Sequence, residues 1–140
     1  MELANIDTLI QKIAIMLARQ NDKILLYNLG IGYSQYKILN VLQASTGIKQ
    51  KQIAIQLGQT EASISRQIKI MYGDGLLQAT PQPEDHRVHL ATLTTRGKRI
   101  CDDAQSILKN ESEKLLNQFS DQEQDTLIKI LKRIQDFLEY

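Results

Sequence analysis

The stretch QKQIAIQLG, residues 50–58, runs directly into QTEASISRQIKIM, residues 59–71, and together they read as two helices joined by a tight turn. Ile53, Ala54 and Leu57 fall on one face of the first helix, and Gly58 supplies a left-handed stop that glycine adopts without a Cβ penalty. Thr60 is placed to cap the second helix, its hydroxyl accepting a bond from a free amide of the first turn. Ile64, Ile68 and Met71 recur at i, i+4 and i+7, so one stripe belongs in a core and the opposite stripe faces outward.

The outward stripe carries Ala62, Ser65, Arg66 and Lys69, with Glu61 and Ser63 at its N-terminal end. Arginine can bond guanine through two N–H groups, and short neighbours permit close approach, so this stripe suits a helix lying in a DNA major groove. A solvated amphipathic helix displays the same residue types, and the stripe alone does not separate the two readings. The next segment adds to the first of them. Leu76 and Leu77 open a short strand, Pro81-Gln82-Pro83-Glu84-Asp85-His86-Arg87 is rich in turn formers, and Val88 to Leu93 returns as a second strand. Asp85 and Arg87 stand two residues apart, so the carboxylate can pair with the guanidinium and hold a basic tip toward a phosphate or the minor groove. An ordinary surface hairpin with an incidental ion pair is the plainer alternative.

These blocks resemble the multiple-antibiotic-resistance regulator (MarR) family of winged helix-turn-helix transcription factors. The residues that carry the resemblance are Gln35-Tyr36-Lys37-Ile38-Leu39, Gln52 to Gly58, Ser63-Ile64-Ser65-Arg66, Gly75-Leu76-Leu77, Pro83 to Arg87 and Leu93-Thr94-Thr95-Arg96-Gly97, in the family's order and spacing. The resemblance implies that the second helix reads the major groove and that the Asp-x-Arg hairpin reaches the minor groove or backbone. It further implies that the terminal helices build a homodimer, and that a small-molecule effector binds between the reading module and those helices. Lys49 stands where the family commonly has a capping Thr or Ser, Glu61 where a basic residue is frequent, Ala79 at a wing position that is often Arg, and His86 where many relatives carry a second arginine. Modest phosphate affinity is the expected consequence. His86 would make the tip more positive below its ordinary pKa of about 6.5, or serve simply as a solvated turn residue.

A chain of 140 residues with 42% hydrophobic content suggests one packed domain with no membrane-spanning run. The start, MELANIDTLIQKIAIM, lacks the features of a secretory signal, and the single cysteine excludes an internal disulfide framework, which together imply cytoplasmic residence. The net charge of +1 conceals an asymmetry: residues 1–33 carry three basic and three acidic groups, residues 34–99 nine and four, and residues 100–140 five and nine. Positive charge therefore gathers on the reading module, as phosphate neutralisation requires.

Leu3, Ile6, Leu9, Ile10, Ile13 and Leu17 recur at helical spacing near one end, and Leu127, Ile130, Leu131, Ile134 and Leu138 near the other, where Ser120 is placed as an N-cap. Thr94 can cap a further long helix through Ile100, Ala104, Ile107, Leu108, Leu115 and Leu116. The terminal stripes fit burial inside one subunit or against a twin, and the resemblance favours the twin, with two reading helices set roughly 34 Å apart. The expected architecture is mainly α with a small β-hairpin wing. Residues 34–99 form the winged helix-turn-helix region, and residues 1–30 and 100–140 supply the flanking dimerisation helices.

Catalysis finds no constellation here: Gly30-Ile31-Gly32 and Gly73-Asp74-Gly75 lack the rest of a phosphate loop, and His86, His89 and Cys101 do not make a metal set, since the two imidazoles would fall on opposite faces of a strand. No enzyme activity, cofactor or metal is expected. Cys101, flanked by Asp102 and Asp103, reads as a packed thiol with a raised pKa rather than a redox sensor. Met16, Tyr27, Tyr33 and Tyr36 are candidates for an effector pocket, with a core role the plainer expectation for each. The sequence thus supports a DNA-binding regulator whose partners are double-stranded DNA, a second copy and a small-molecule effector, most simply a repressor. A winged-helix module that binds another protein without reading DNA is the alternative.

Overall fold

A computed structural model describes residues 5–139. Six helices and one hairpin follow one another as α1 (Asn5–Leu29), α2 (Tyr33–Ala44), α3 (Gln50–Leu57), α4 (Glu61–Gly73), β1 (Leu77–Pro81), β2 (His89–Leu93), α5 (Thr95–Leu116) and α6 (Asp121–Leu138). The chain divides into two compact units, Met1–Gln105 and Ser106–Tyr140. Leu3 of the expected N-terminal stripe lies outside the described residues.

The first unit is built around α2, α3, α4 and the hairpin. Ile38, Leu39 and Leu42 of α2, Ile53 and Ala54 of α3, and Ile64, Ile68 and Met71 of α4 are buried together with Leu25, Leu76, Leu77 and Leu93. Full burial of side chains of this size stabilises by roughly 1.5–3 kcal/mol each, so the α4 stripe alone anchors the helix firmly. Leu57 is only half-buried at the end of α3. Gly58 ends α3 at φ 63° and ψ 35°, the left-handed geometry expected of it. Lys49 offers no side-chain cap to α3; instead the Gln52 amide oxygen accepts the Lys49 backbone N–H at 3.0 Å. Helix α2, which the opening pattern did not delineate, starts where the Tyr33 N–H donates to the Asp22 carboxylate of α1 at 2.9 Å.

The strands differ from the expected bounds. Leu76 precedes β1, which extends through Pro81, and β2 begins at His89 rather than Val88, in the register Leu77↔Leu93 to Pro81↔His89. Pro81 is tolerated because it ends a strand of a two-stranded sheet, where the missing N–H costs no interior ladder bond. Val88 belongs to the tip: Gln82 N–H donates to the Val88 carbonyl at 2.8 Å, and Val88 N–H to the Asp85 carbonyl at 3.0 Å. His86 therefore sits in the turn, not on a strand face.

Thr94 ties the hairpin to α5. Its hydroxyl donates to the Gly75 carbonyl at 2.6 Å and accepts from the Gly97 N–H at 3.0 Å, while its own N–H donates to the Leu76 carbonyl at 3.1 Å. The α5 backbone consequently runs so close to Leu76 that only glycine fits at position 97.

In the second unit, Ser120 opens α6 with a reciprocal cap: its hydroxyl accepts from Glu123 N–H and its own N–H donates to the Glu123 carboxylate, each at 3.1 Å. No described side chain of α6 is buried, and Leu127, Ile130, Leu131 and Leu138 are all exposed. Among the described residues no helix is long and apolar enough to cross a membrane.

Candidate nucleic-acid interface

Helix α4 presents the expected stripe because its opposite side is fully committed to the core. Thr60, at φ −74° and ψ 150°, accepts the Ser63 N–H on its hydroxyl at 3.1 Å. Ser63 is turned back toward Gln59, whose side-chain oxygen accepts its hydroxyl at 3.4 Å, so Ser63 is half-buried and held. That contact was not read from the sequence. Glu61, Ala62, Arg66 and Lys69 are exposed, and Ser65 is half-buried at the edge of the stripe. Among the described residues neither Arg66 nor Lys69 has an ion-pair partner. Their charges and hydrogen-bond donors are free for an external anion or a base edge.

The wing tip is organised by Asp85. Its Oδ1 accepts both the backbone N–H of Arg87 at 3.1 Å and the side-chain Nε–H at 3.0 Å, and its Oδ2 accepts Nη2–H at 3.1 Å. These side-chain bonds, and secondarily the backbone bond, hold the Asp85 carboxyl below its ordinary value and raise the Arg87 guanidinium further. The pairing therefore favours the ionised form of the Asp85 carboxyl. Two of the five guanidinium N–H groups are engaged and the others remain available, on a side chain 91% exposed. Pairing of this kind adds little stability at the surface; what it does is fix the direction of the donor array. His86 stands exposed between the two partners. Behind the tip, the Thr80 and Thr92 hydroxyls meet across the strands at 2.7 Å.

A polar cluster between α2 and α5 was also not anticipated. The Gln43 side-chain oxygen accepts from the Cys101 thiol at 3.3 Å and from the Gln105 amide at 3.0 Å, while the Gln43 amide donates to Asp102 at 2.9 Å and Gln105 also donates to Asn40 at 3.0 Å. The recurrence of Asn40 and Gln43 on a helix whose neighbouring residues are apolar was the available signal. Cys101 is fully buried, and its thiol is pushed up to about 11, first by burial and second by the Asp102 carboxylate. Charge, the cause expected from sequence, is thus the lesser one. Between about 9 and about 11 the unfolded chain loses this proton while the folded chain keeps it, so stability declines as pH rises through that window. Urea unfolding at stepped alkaline pH should show this decline in the wild type and a shallower one in Cys101→Ala.

The proposed pocket residues divide. Tyr33 and Tyr36 are half-buried and stack with ring centroids 6.1 Å apart, with Lys37 Nζ 5.2 Å above the Tyr33 ring. Burial raises the Tyr36 phenol, with smaller contributions from Cys101 and Tyr33. Tyr27 is 90% exposed and Met16 65%, so neither takes the core role expected of it; both sit on a face of α1 that its own unit leaves uncovered. Among the described residues no group of three or more His, Cys, Asp or Glu side chains is placed to hold a metal ion.

Comparison with known proteins bears on this geometry. The model of the MarR family matches residues 31–89. An uncharacterized HTH-type transcriptional regulator of Bacillus subtilis, YdgJ, is 24% identical over 107 residues, covering 76% of this chain and 65% of that protein, so the chain spans just under two thirds of that relative's length. Among solved structures, the Staphylococcus aureus MepR–DNA complex superposes with a TM-score of 0.81 at 23% identity, covering 95% of this chain and 98% of that one. CouR of Rhodococcus jostii bound to p-coumaroyl-CoA gives 0.79 at 22% identity, covering 96% and 94%. Likenesses at this identity speak for the fold: six helices and a hairpin in the MarR winged-helix arrangement.

Proposed function

We propose that this chain, whose residues 31–89 match the MarR family model, is a MarR-type transcriptional regulator that binds a pseudo-palindromic operator as a homodimer. The observation that carries this reading is the exposed α4 face, where Arg66 and Lys69 stand without ion-pair partners among the described residues while Ile64, Ile68 and Met71 on the opposite side of the same helix are buried. In this reading Thr60, Glu61, Ala62, Ser63, Ser65, Arg66 and Lys69 enter the major groove, and Asp85, His86 and Arg87 reach the minor groove or its phosphates. Residues 34–99 do the reading. Residues 1–30 and 100–140 join the two copies.

The uncovered apolar faces support the twin. Ile6, Leu9, Ile13 and Met16 of α1, and separately Leu127, Ile130, Leu131 and Leu138 of α6, are each more than 40% exposed in the single chain. Apolar stripes of this extent mark a surface made for association. Light scattering during size exclusion should give twice the 16.0 kDa chain mass at micromolar concentration, and a monomer at every concentration would contradict the dimer.

Repression is the simplest mode, and release by a small-molecule effector is supported by the ligand-bound CouR relative. Such a ligand acts by favouring one spacing of the two reading helices over another. The direct test is binding to the DNA upstream of the protein's own coding region, with excess nonspecific competitor, across a salt series. Lys69 and Arg87 of both copies make four phosphate-directed cations, so the logarithm of affinity should fall with that of salt at a slope of roughly −4. A protein adaptor would show neither competitor-resistant binding nor this slope.

A further inference from the structure

Glu61 is the residue whose presence the electrostatics of a reading helix least favours. It opens α4 beside the Thr60 cap, its side chain is exposed, and among the described residues it has no ion-pair partner. A carboxylate at a helix N-terminus is stabilised by the helix dipole, yet the same position lies nearest the phosphates when the first turn enters a groove. The only groups in a major groove that a carboxylate can bond are exocyclic amino groups. In the paired duplex the cytosine N4 amino group has an acceptor on one side only, the O6 of its guanine, whereas the adenine N6 amino group lies between its own N7 and the O4 of its thymine, and guanine and thymine themselves present acceptors. The neighbours leave room for such an approach: Ala62 has only a methyl group, and Ser65, one turn on, is short and half-buried.

We propose that Glu61 is a specificity-determining residue that selects cytosine at one position of each half-site, apart from the base read by Arg66. This rests on the DNA-reading function proposed above and adds a role for the acidic side chain at the start of α4. Glu61 carries no phosphate affinity. It rejects guanine and thymine by facing their carbonyl oxygens, and it accepts the N4–H of cytosine on one oxygen.

The test is selection of bound sequences from a randomised DNA pool by the full chain, as wild type, Glu61→Gln and Glu61→Ala. The wild type should enrich a symmetric motif with cytosine fixed at one position per half-site. Glu61→Ala should keep the motif and lose preference at that position alone, with affinity for the wild-type motif falling about tenfold. Glu61→Gln should move that position toward adenine, which a carboxamide matches through N6 and N7. If all three proteins select the same motif, and Glu61→Gln binds every sequence more tightly, Glu61 is a repulsive charge and the inference falls while the regulator stands. If the wild type enriches no motif and Arg66→Ala binds the pool equally well, the DNA-reading proposal itself falls and takes this inference with it.

Discussion

Gly97→Ala should destabilise the first unit by about 3 kcal/mol or more, the range of overpacking at a site that cannot relax. A Cβ at position 97 would lie inside contact distance of the Leu76 carbonyl oxygen and 3.1 Å from its carbon, and both belong to backbone held by other bonds. The Thr94 N–H donates to that same Leu76 carbonyl, and the Thr94 hydroxyl bridges Gly75 and Gly97, so α5 cannot withdraw without releasing the base of the wing. Gly73→Ala is the matched control, since a Cβ there meets nothing within 4 Å, and it should shift stability by no more than about 0.5 kcal/mol. Urea unfolding of the two variants reads the difference directly. Equal stability of both would show that the α5 start is not locked to Leu76.

Arg66→Ala and Arg87→Ala should weaken DNA binding in two distinguishable ways. The proposed dimer would present Arg66 twice, and a bidentate contact to guanine is worth about 1–3 kcal/mol, so loss of both such contacts should cost at least about thirtyfold on the operator and little on random DNA. Arg87 is clamped by Asp85 with its remaining donors outward, so its loss should weaken every sequence alike and flatten the salt slope by about 2 per dimer. Competition titrations on operator and on random duplex at three salt concentrations separate these outcomes. A uniform loss for Arg66→Ala would make it a phosphate contact, not a reading residue.

The local geometry of α3, α4 and the hairpin was legible because the determinants there are themselves local. Thr60 caps by reaching its own helix, Gly58 stops a helix by its own φ, and Asp85 clamps a residue two positions on. Ile64, Ile68 and Met71 announced their burial by spacing alone. What was illegible depends on residues far apart in the chain. The Gln43 hub joins side chains 58 and 62 positions away, and the Thr94 hydroxyl reaches back 19 residues to Gly75, distances at which no periodicity or turn signal operates. The strand bounds slipped for a related reason: whether Leu76 and Val88 belong to the ladder is decided by pairing across the hairpin, not by the β propensity of either residue. Tyr27 and Met16 were misplaced because an apolar residue on an amphipathic helix is indistinguishable, in sequence, from one that its own unit leaves exposed.

Hydroxyl-radical footprinting of the full chain on its operator tests the central claim most directly. The account predicts two protected patches related by a two-fold axis, their centres about one helical turn, roughly 34 Å, apart on one face of the duplex, with both lost together in Arg66→Ala. Protection of a single patch with no symmetric mate, or a footprint that survives Arg66→Ala unchanged, would contradict a dimer reading DNA through α4.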